Sequence, residues 1–183
     1  MQPITLRHAA LAALLLGAAP LAAQAGPVQT VNVPVSARVF TPLTVTSTDN
    51  LRFGTLYAPS TTPKAVDFID NAASGGRARV TIAGEGGAAL NVVLTVPSEL
   101  TSGGNSLSVG SFALRWNTND ADGAGTDVNL TAGSNTISLT MPGSNATTQN
   151  MYLRFRATAS PTANQAAGSY TGQIGVSVND TGA

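Results

Sequence analysis

Side chains able to move protons or attack substrates are scarce in this chain. Its one histidine is His8, and it has no cysteine. Most nucleophilic catalysis sets a base, usually histidine, beside a serine or cysteine. A serine–lysine pair would have to use Lys64, the only lysine, which stands at the start of a predicted strand with no adjacent serine motif. Zinc lacks its usual ligands. The carboxylates are Asp49, Asp67, Asp70, Glu85, Glu99, Asp120, Asp122, Asp127 and Asp180. Nearly all fall in predicted turns, where aspartate is favoured because its side chain bonds the local backbone. Glycoside hydrolysis needs two carboxylates flanking a held sugar. One Trp and three Tyr give little aromatic surface to hold it.

Calcium is the one metal with a candidate loop. Asn117-Thr-Asn-Asp-Ala-Asp-Gly123, with Asp127 beyond, clusters oxygen ligands. Set as an EF-hand with Gly123 at the sixth position, the loop puts Thr118 first and Asn129 twelfth, so both ends fail. A polar hairpin tip is the plainer reading. Gly84-Glu-Gly-Gly87 leads into an apolar alternation, so it lacks the helix N-terminus that would hold phosphate. These residues predict no enzyme, no metal and no cofactor.

Charge excludes further classes. Nine basic side chains balance nine acidic ones, and charged residues are only 10% of the chain. Nucleic-acid binders carry basic patches, and anionic membranes attract polybasic segments; neither signal is present. Residues 1–25 read as a cleaved signal peptide: Arg7 and His8, the apolar run Ala9–Ala19, Pro20, then Ala23-Gln24-Ala25 ahead of Gly26. The run is too short to span a bilayer of about 30 Å as a helix, and no later stretch qualifies. The mature chain is therefore expected to be exported, to the periplasm, outer surface or exterior, without a transmembrane segment. It would contain neither His nor Cys.

The elements that must position any site are strands. Val31, Val33, Val35, Ala37 and Val39 alternate with polar residues and Pro34, predicting a long first strand. Proline donates no ladder bond, so Pro34 belongs at an edge, a bulge or an outward amide. A turn at 47–50 leads to a compact strand over Leu51–Leu56. Lys64–Ile69 is predicted as a short strand with Val66 and Phe68 inward. Ala78–Ile82 and Leu90–Val96 are predicted as a hairpin about Gly84–Gly87. Leu107–Trp116, Val128–Leu130, Ile137–Met141 and Met151–Ala157 follow. Trp116 shares parity with Phe112 and Leu114 and is expected in the core. In the closing stretch, Gly168–Asn179, Tyr170, Ile174, Val176 and Val178 fall on one parity. About nine or ten short strands, no helical period, no repeat and no linker predict one all-β domain over residues 26–183.

Three stretches together resemble a known family: Leu51-Arg-Phe-Gly-Thr-Leu56, then Gly76-Arg-Ala-Arg-Val-Thr-Ile-Ala-Gly84 leading into Leu90–Pro97, and Ala167-Gly-Ser-Tyr-Thr-Gly-Gln-Ile-Gly-Val-Ser-Val178. The layout resembles the exported bacterial proteins of the domain of unknown function 4402 family, which has no established activity. It is similar to pilin-like subunits of chaperone–usher systems and to spore-coat-U-type proteins. That resemblance implies an immunoglobulin-like antiparallel β-sandwich left incomplete and finished by a neighbour's N-terminal segment, here Val28–Val39. It also implies that the strand with Gly168 and Tyr170 faces a periplasmic chaperone. The expected function is a non-enzymatic structural or surface-assembly role, with copies of itself or a chaperone as partner. The candidate assembly residues are Val31, Val33, Val35 and Val39, with Tyr170, Ile174, Val176 and Val178. The alternative is a self-complete secreted monomer that binds glycan or calcium through the Asn117–Asp127 loop.

Overall fold

A computed structural model describes residues 33–37, 39, 41–68, 76–121, 123–144 and 147–182. The expected leader and Val31 lie outside these residues. The chain divides after Ala37. In the first part, residues 33–37 form neither helix nor strand and are exposed. The second part, Arg38–Ala183, holds both sheets.

Among the described residues there are ten strands and no helix. They are β1 (Thr44–Asp49), β2 (Lys64–Val66), β3 (Ala78–Glu85), β4 (Ala89–Val96), β5 (Glu99–Ser102), β6 (Asn105–Asn117), β7 (Thr126–Asn129), β8 (Gly133–Thr140), β9 (Thr148–Ser160) and β10 (Gly175–Asp180). The larger sheet has seven strands in the order β1-β3-β9-β6-β5, with β2 also paired to β9 and β7 to β6. The smaller sheet has three, in the order β10-β4-β8. Every pairing is antiparallel. The fold is an all-β sandwich, as the alternation predicts. No helix of the described residues is long and apolar enough to cross a membrane.

Period two explains the core. Val80 and Ile82 on β3, Leu107 and Leu114 on β6, and Met151, Leu153 and Phe155 on β9 share one buried cluster with Leu90, Val92, Leu94 and Val96 of β4. Each such side chain stabilises the fold by about 1.5–3 kcal/mol relative to exposure. Trp116 packs against this cluster, as its parity predicts.

Several local expectations are corrected. The Ala78–Ile82 and Leu90–Val96 strands do not form a hairpin: β3 lies in the larger sheet and β4 in the smaller. The turn between them carries the chain from one sheet to the other. Its amides bond outward, Gly86 to the Thr147 carbonyl at 3.0 Å and Gly87 to the Met141 carbonyl at 3.1 Å. Alternation tells which face is buried, not which strand is the partner. Leu51–Leu56 forms no strand; only Arg52 bridges, to Gly76. The predicted turn over 47–50 gives way to β1, which runs to Asp49 beside β3. Val33, Val35 and Val39 lie in no strand. Phe68 is buried, but on the outer face of the larger sheet, as described below.

Candidate functional site

Seven strands face three, so the smaller sheet lies over only part of the larger sheet's inner face, whose side chains are nonetheless buried. The result is a groove of about 1100 Å³. Its floor is the inner face itself: Ala78 and Val80 of β3, Phe155 of β9, and Leu107 and Phe112 of β6. One wall is the irregular segment 49–58, which turns Leu51, Phe53 and Leu56 toward the core. The other wall is the chain entering β10, with Tyr170, Ile174 and Val176. β10 pairs with β4 on one edge; its other edge has no strand partner among the described residues.

The approach to β10 is fixed by the closing motif. Gly168 and Gly172 run against β5, where an added Cβ would come within 2.5 Å of Ser102 Oγ and 2.7 Å of Leu100 Cδ2. A larger residue at either position would displace the Ser102 or Leu100 side chain of β5. Between them Thr171 exchanges backbone bonds with Thr101 of β5, at 2.9 and 3.0 Å. Tyr170 turns back. Its hydroxyl donates to the Ala166 carbonyl at 2.7 Å and accepts from Gln165 Nε2 at 2.7 Å; Nε2 also donates to the Ser106 carbonyl at 2.9 Å. This is the arrangement of a tyrosine corner. The segment thus touches the larger sheet at Thr171 and joins the smaller one at Gly175. Its spacing, Gly-x-Tyr-x-Gly, is that of a chain stapled across the sandwich end.

The outer face of the larger sheet is built differently. Asp49, Arg79, Arg154, Arg115 and Asp127 occupy one row across β1, β3, β9, β6 and β7. Like charges on adjacent strands repel, so three neighbouring arginines need anions. Asp49 Oδ2 lies 3.0 Å from Arg79 Nε. Arg115 donates twice to Asp127, at 2.6 and 2.9 Å. That bidentate bond raises the Arg115 pKa and holds the Asp127 carboxyl below its ordinary value. Asp120, from the loop after β6, takes two bonds from Arg79 Nη1, at 2.8 and 2.6 Å, and one from Arg154 Nη2 at 2.7 Å. Arg154 is 0% exposed. Beside this row Phe68 is also fully buried. The Arg115 and Arg156 guanidinium carbons lie 4.3 and 5.1 Å from its ring centroid. Asp120 and Asp127, carboxylates of the candidate calcium loop, are thus engaged with arginines. Among the described residues no three His, Cys, Asp or Glu side chains are grouped to hold a metal.

The structure brings Tyr170, Ile174 and Val176 together at the groove. Val178 follows on β10, facing the core away from the groove lining. Tyr170 precedes the strand and anchors it rather than belonging to it. Val33, Val35 and Val39 are 76%, 93% and 93% exposed. Sequence reasoning missed the groove's floor and the wall at 51–58, because those residues read as ordinary core. The only local signal was an apolar Leu51–Leu56 stretch too short and too broken by Gly54 to sustain a strand.

The family model for the domain of unknown function DUF4402 matches residues 43–179. The chain belongs to that family. The matched region runs from just before β1 to Asn179 in β10, so the DUF4402 domain takes in both sheets, the groove and the stapled segment. The valine-rich residues 31–39 precede it. No curated protein matches the chain.

Proposed function

We propose that the protein is a non-enzymatic, exported structural subunit that assembles by strand addition, the Val31–Val39 segment of one copy docking on β10 of the next. The observation that carries this reading is the groove beside β10. It is walled by backbone, floored by core side chains and bordered by a strand edge without a partner among the described residues. An extended segment laid there adds a fourth strand to the smaller sheet and lies over the buried floor. Val33 and Val35 supply apolar side chains at the required spacing of two, and both are exposed. Burying each contributes about 1.5–3 kcal/mol. The uncovered edge explains why a periplasmic chaperone is a fitting earlier partner: a bare strand edge beside an apolar groove invites aggregation during export.

Deleting residues 26–40 tests the reading. The full mature chain is expected to form concentration-dependent oligomers by light scattering, and the deletion to remain a folded monomer. A full-length chain that stays monomeric at high concentration, with the deletion equally well folded, would refute it in favour of the self-complete module.

A further inference from the structure

We infer that the outer face of the larger sheet carries a binding site for a carboxylate-bearing sugar, a hexuronic acid, in a recess between β2, β9 and the bulge in β6. The inference does not rest on the strand-addition reading, because the groove lies over the other face of that sheet.

The recess follows from the register. On β9, Thr158 stands opposite Ala65 of β2 and Gly110 of β6. Two of the three outward positions in this row are therefore nearly bare, and a Cβ added at Gly110 would meet nothing within 4 Å. The next row stands higher: it holds Arg156 of β9, with Phe68 against its guanidinium. The step between the rows leaves a hollow of about 580 Å³. Buried Val66, Phe112, Leu130 and Ala157 close its floor, and Asp67, Ser111, Asn129, Arg156 and Thr158 supply its polar groups.

The charge of Arg156 sets this hollow apart from ordinary surface. Arg115 donates twice to Asp127, and Arg79 and Arg154 share Asp120. Arg156 has no such bond among the described residues. Asp67 follows Val66, which pairs with Ala157, so it comes beside Arg156. Its Oδ1 instead accepts from the Phe68 amide at 2.7 Å. The Arg156 guanidinium carbon lies 5.1 Å from the Phe68 ring centroid, so packing holds the group while its N–H donors stay free for a ligand. A planar guanidinium matches a carboxylate, which it binds through two parallel bonds.

Ser111 sets it apart a second time. It is the one non-glycine residue with positive φ among the described residues, at 51°. The β6–β9 register shifts between Gly110 and Ala113, so Ser111 and Phe112 together oppose Ala157. Side chains are strained in that region of φ, and bulges re-aim side chains beside functional sites. Glycine would relieve the strain, yet the position holds an exposed serine at a level between Arg156 and Thr158. The side chains of Ser111, Thr158 and Asn129 make no hydrogen bond among the described residues, so all three can serve sugar hydroxyls. A neutral sugar would leave Arg156 unmatched, and a simple carboxylate would leave these groups unused. A hexuronic acid carries both on one ring.

Calorimetry on the mature chain tests the site, with the disaccharide of galacturonate and the matching neutral disaccharide of galactose as probes. Salt at about 0.15 M screens non-specific attraction. The acid is expected to bind about tenfold more tightly than the neutral sugar, the scale of one charge-assisted pair. Arg156→Gln is expected to erase that preference. Arg156→Lys is expected to keep part of it, because an ammonium keeps the charge but loses the fork. Ser111→Gly is expected to raise the melting temperature, since glycine adopts this backbone without strain, and to weaken acid binding about threefold, the scale of one neutral hydrogen bond. Equal affinity for the two sugars would overturn the carboxylate assignment, and no heat with either at about 10 mM would overturn the site. A preference that survives Arg156→Gln in a protein of unchanged melting temperature would place binding elsewhere and overturn it too. Should Arg156→Gln fail to fold, Thr158→Val and Ser111→Gly carry the test: weaker acid binding in both supports the recess, and unchanged affinity in both overturns it.

Discussion

The two faces of the larger sheet solve opposite problems. The inner face is apolar and buried, and because three strands oppose seven, a groove lies over part of it. The outer face carries the polar parity of β3, β6 and β9, yet it is sealed: Arg154 and Phe68 are completely buried there. A loop brings Asp120 over two arginines, and Phe68 fits between two others. The charged row of that face is satisfied within the chain. The inner face is buried as well, but a groove lies over part of it beside the β10 edge that has no strand partner among the described residues. On the proposed strand-addition reading, the interaction surface lies at the groove rather than at the charged row.

The largest expected effect tests whether the outer layer is a second core. Phe155→Ala removes a ring from the groove floor, and Phe68→Ala removes one from the outer face; both rings are buried. Each is expected to cost about 3–5 kcal/mol in urea unfolding. A loss below about 1 kcal/mol for Phe68→Ala would show the outer layer to be loose cover and would break the comparison.

A smaller effect isolates the electrostatic seal. Asp120→Asn removes the anion shared by Arg79 and Arg154. The Asp120 side chain is 41% exposed, so solvent screening reduces the cost to about 1 kcal/mol. Because ion pairs are screened and apolar packing is not, added salt is expected to narrow the gap between Asp120→Asn and wild type. It is not expected to narrow the gap for Phe155→Ala. A salt-independent Asp120→Asn defect would mean that the loop acts by packing alone.

The smallest effect is in acid. The bond from Arg115 holds the Asp127 carboxyl below its ordinary value in the folded state. Its stabilisation is present above the unfolded carboxylate pKa of about 4 and is lost as pH falls through the folded value. With Asp127 39% exposed, the contribution is a few tenths of a kcal/mol, about what exposed pairs give. Asp127→Asn is expected to flatten the acid limb of the stability–pH curve by that amount, measured by thermal melts between pH 6 and 3. An unchanged acid limb would remove this pair from the outer seal.

The sandwich was legible because alternation is local. The buried parities of β4, β6 and β9 follow from runs such as Leu90–Val96 and Met151–Ala157, which need only their own neighbours. Partners were less legible. The supposed hairpin joined two strands of correct parity that belong to different sheets. The Gly-x-Tyr-x-Gly spacing was visible, but its cause, close passage along Ser102 and Leu100, required β5 to be in place. A whole-chain charge of zero gave no hint of three arginines in one row.

By itself, then, the sequence determined an all-β chain with one apolar face per strand, no histidine or cysteine beyond His8, and a valine-rich lead ahead of the family domain. These are properties of residue type and of a period-two backbone, fixed before any long-range contact. Tertiary structure alone decided that Asp49, Arg79, Arg154, Arg115 and Asp127 meet, and that Phe68 serves the outer face. It also decided that seven strands oppose three, leaving a groove beside β10. Those outcomes depend on which strands pair and in what register, and register is set by packing between segments far apart in the chain.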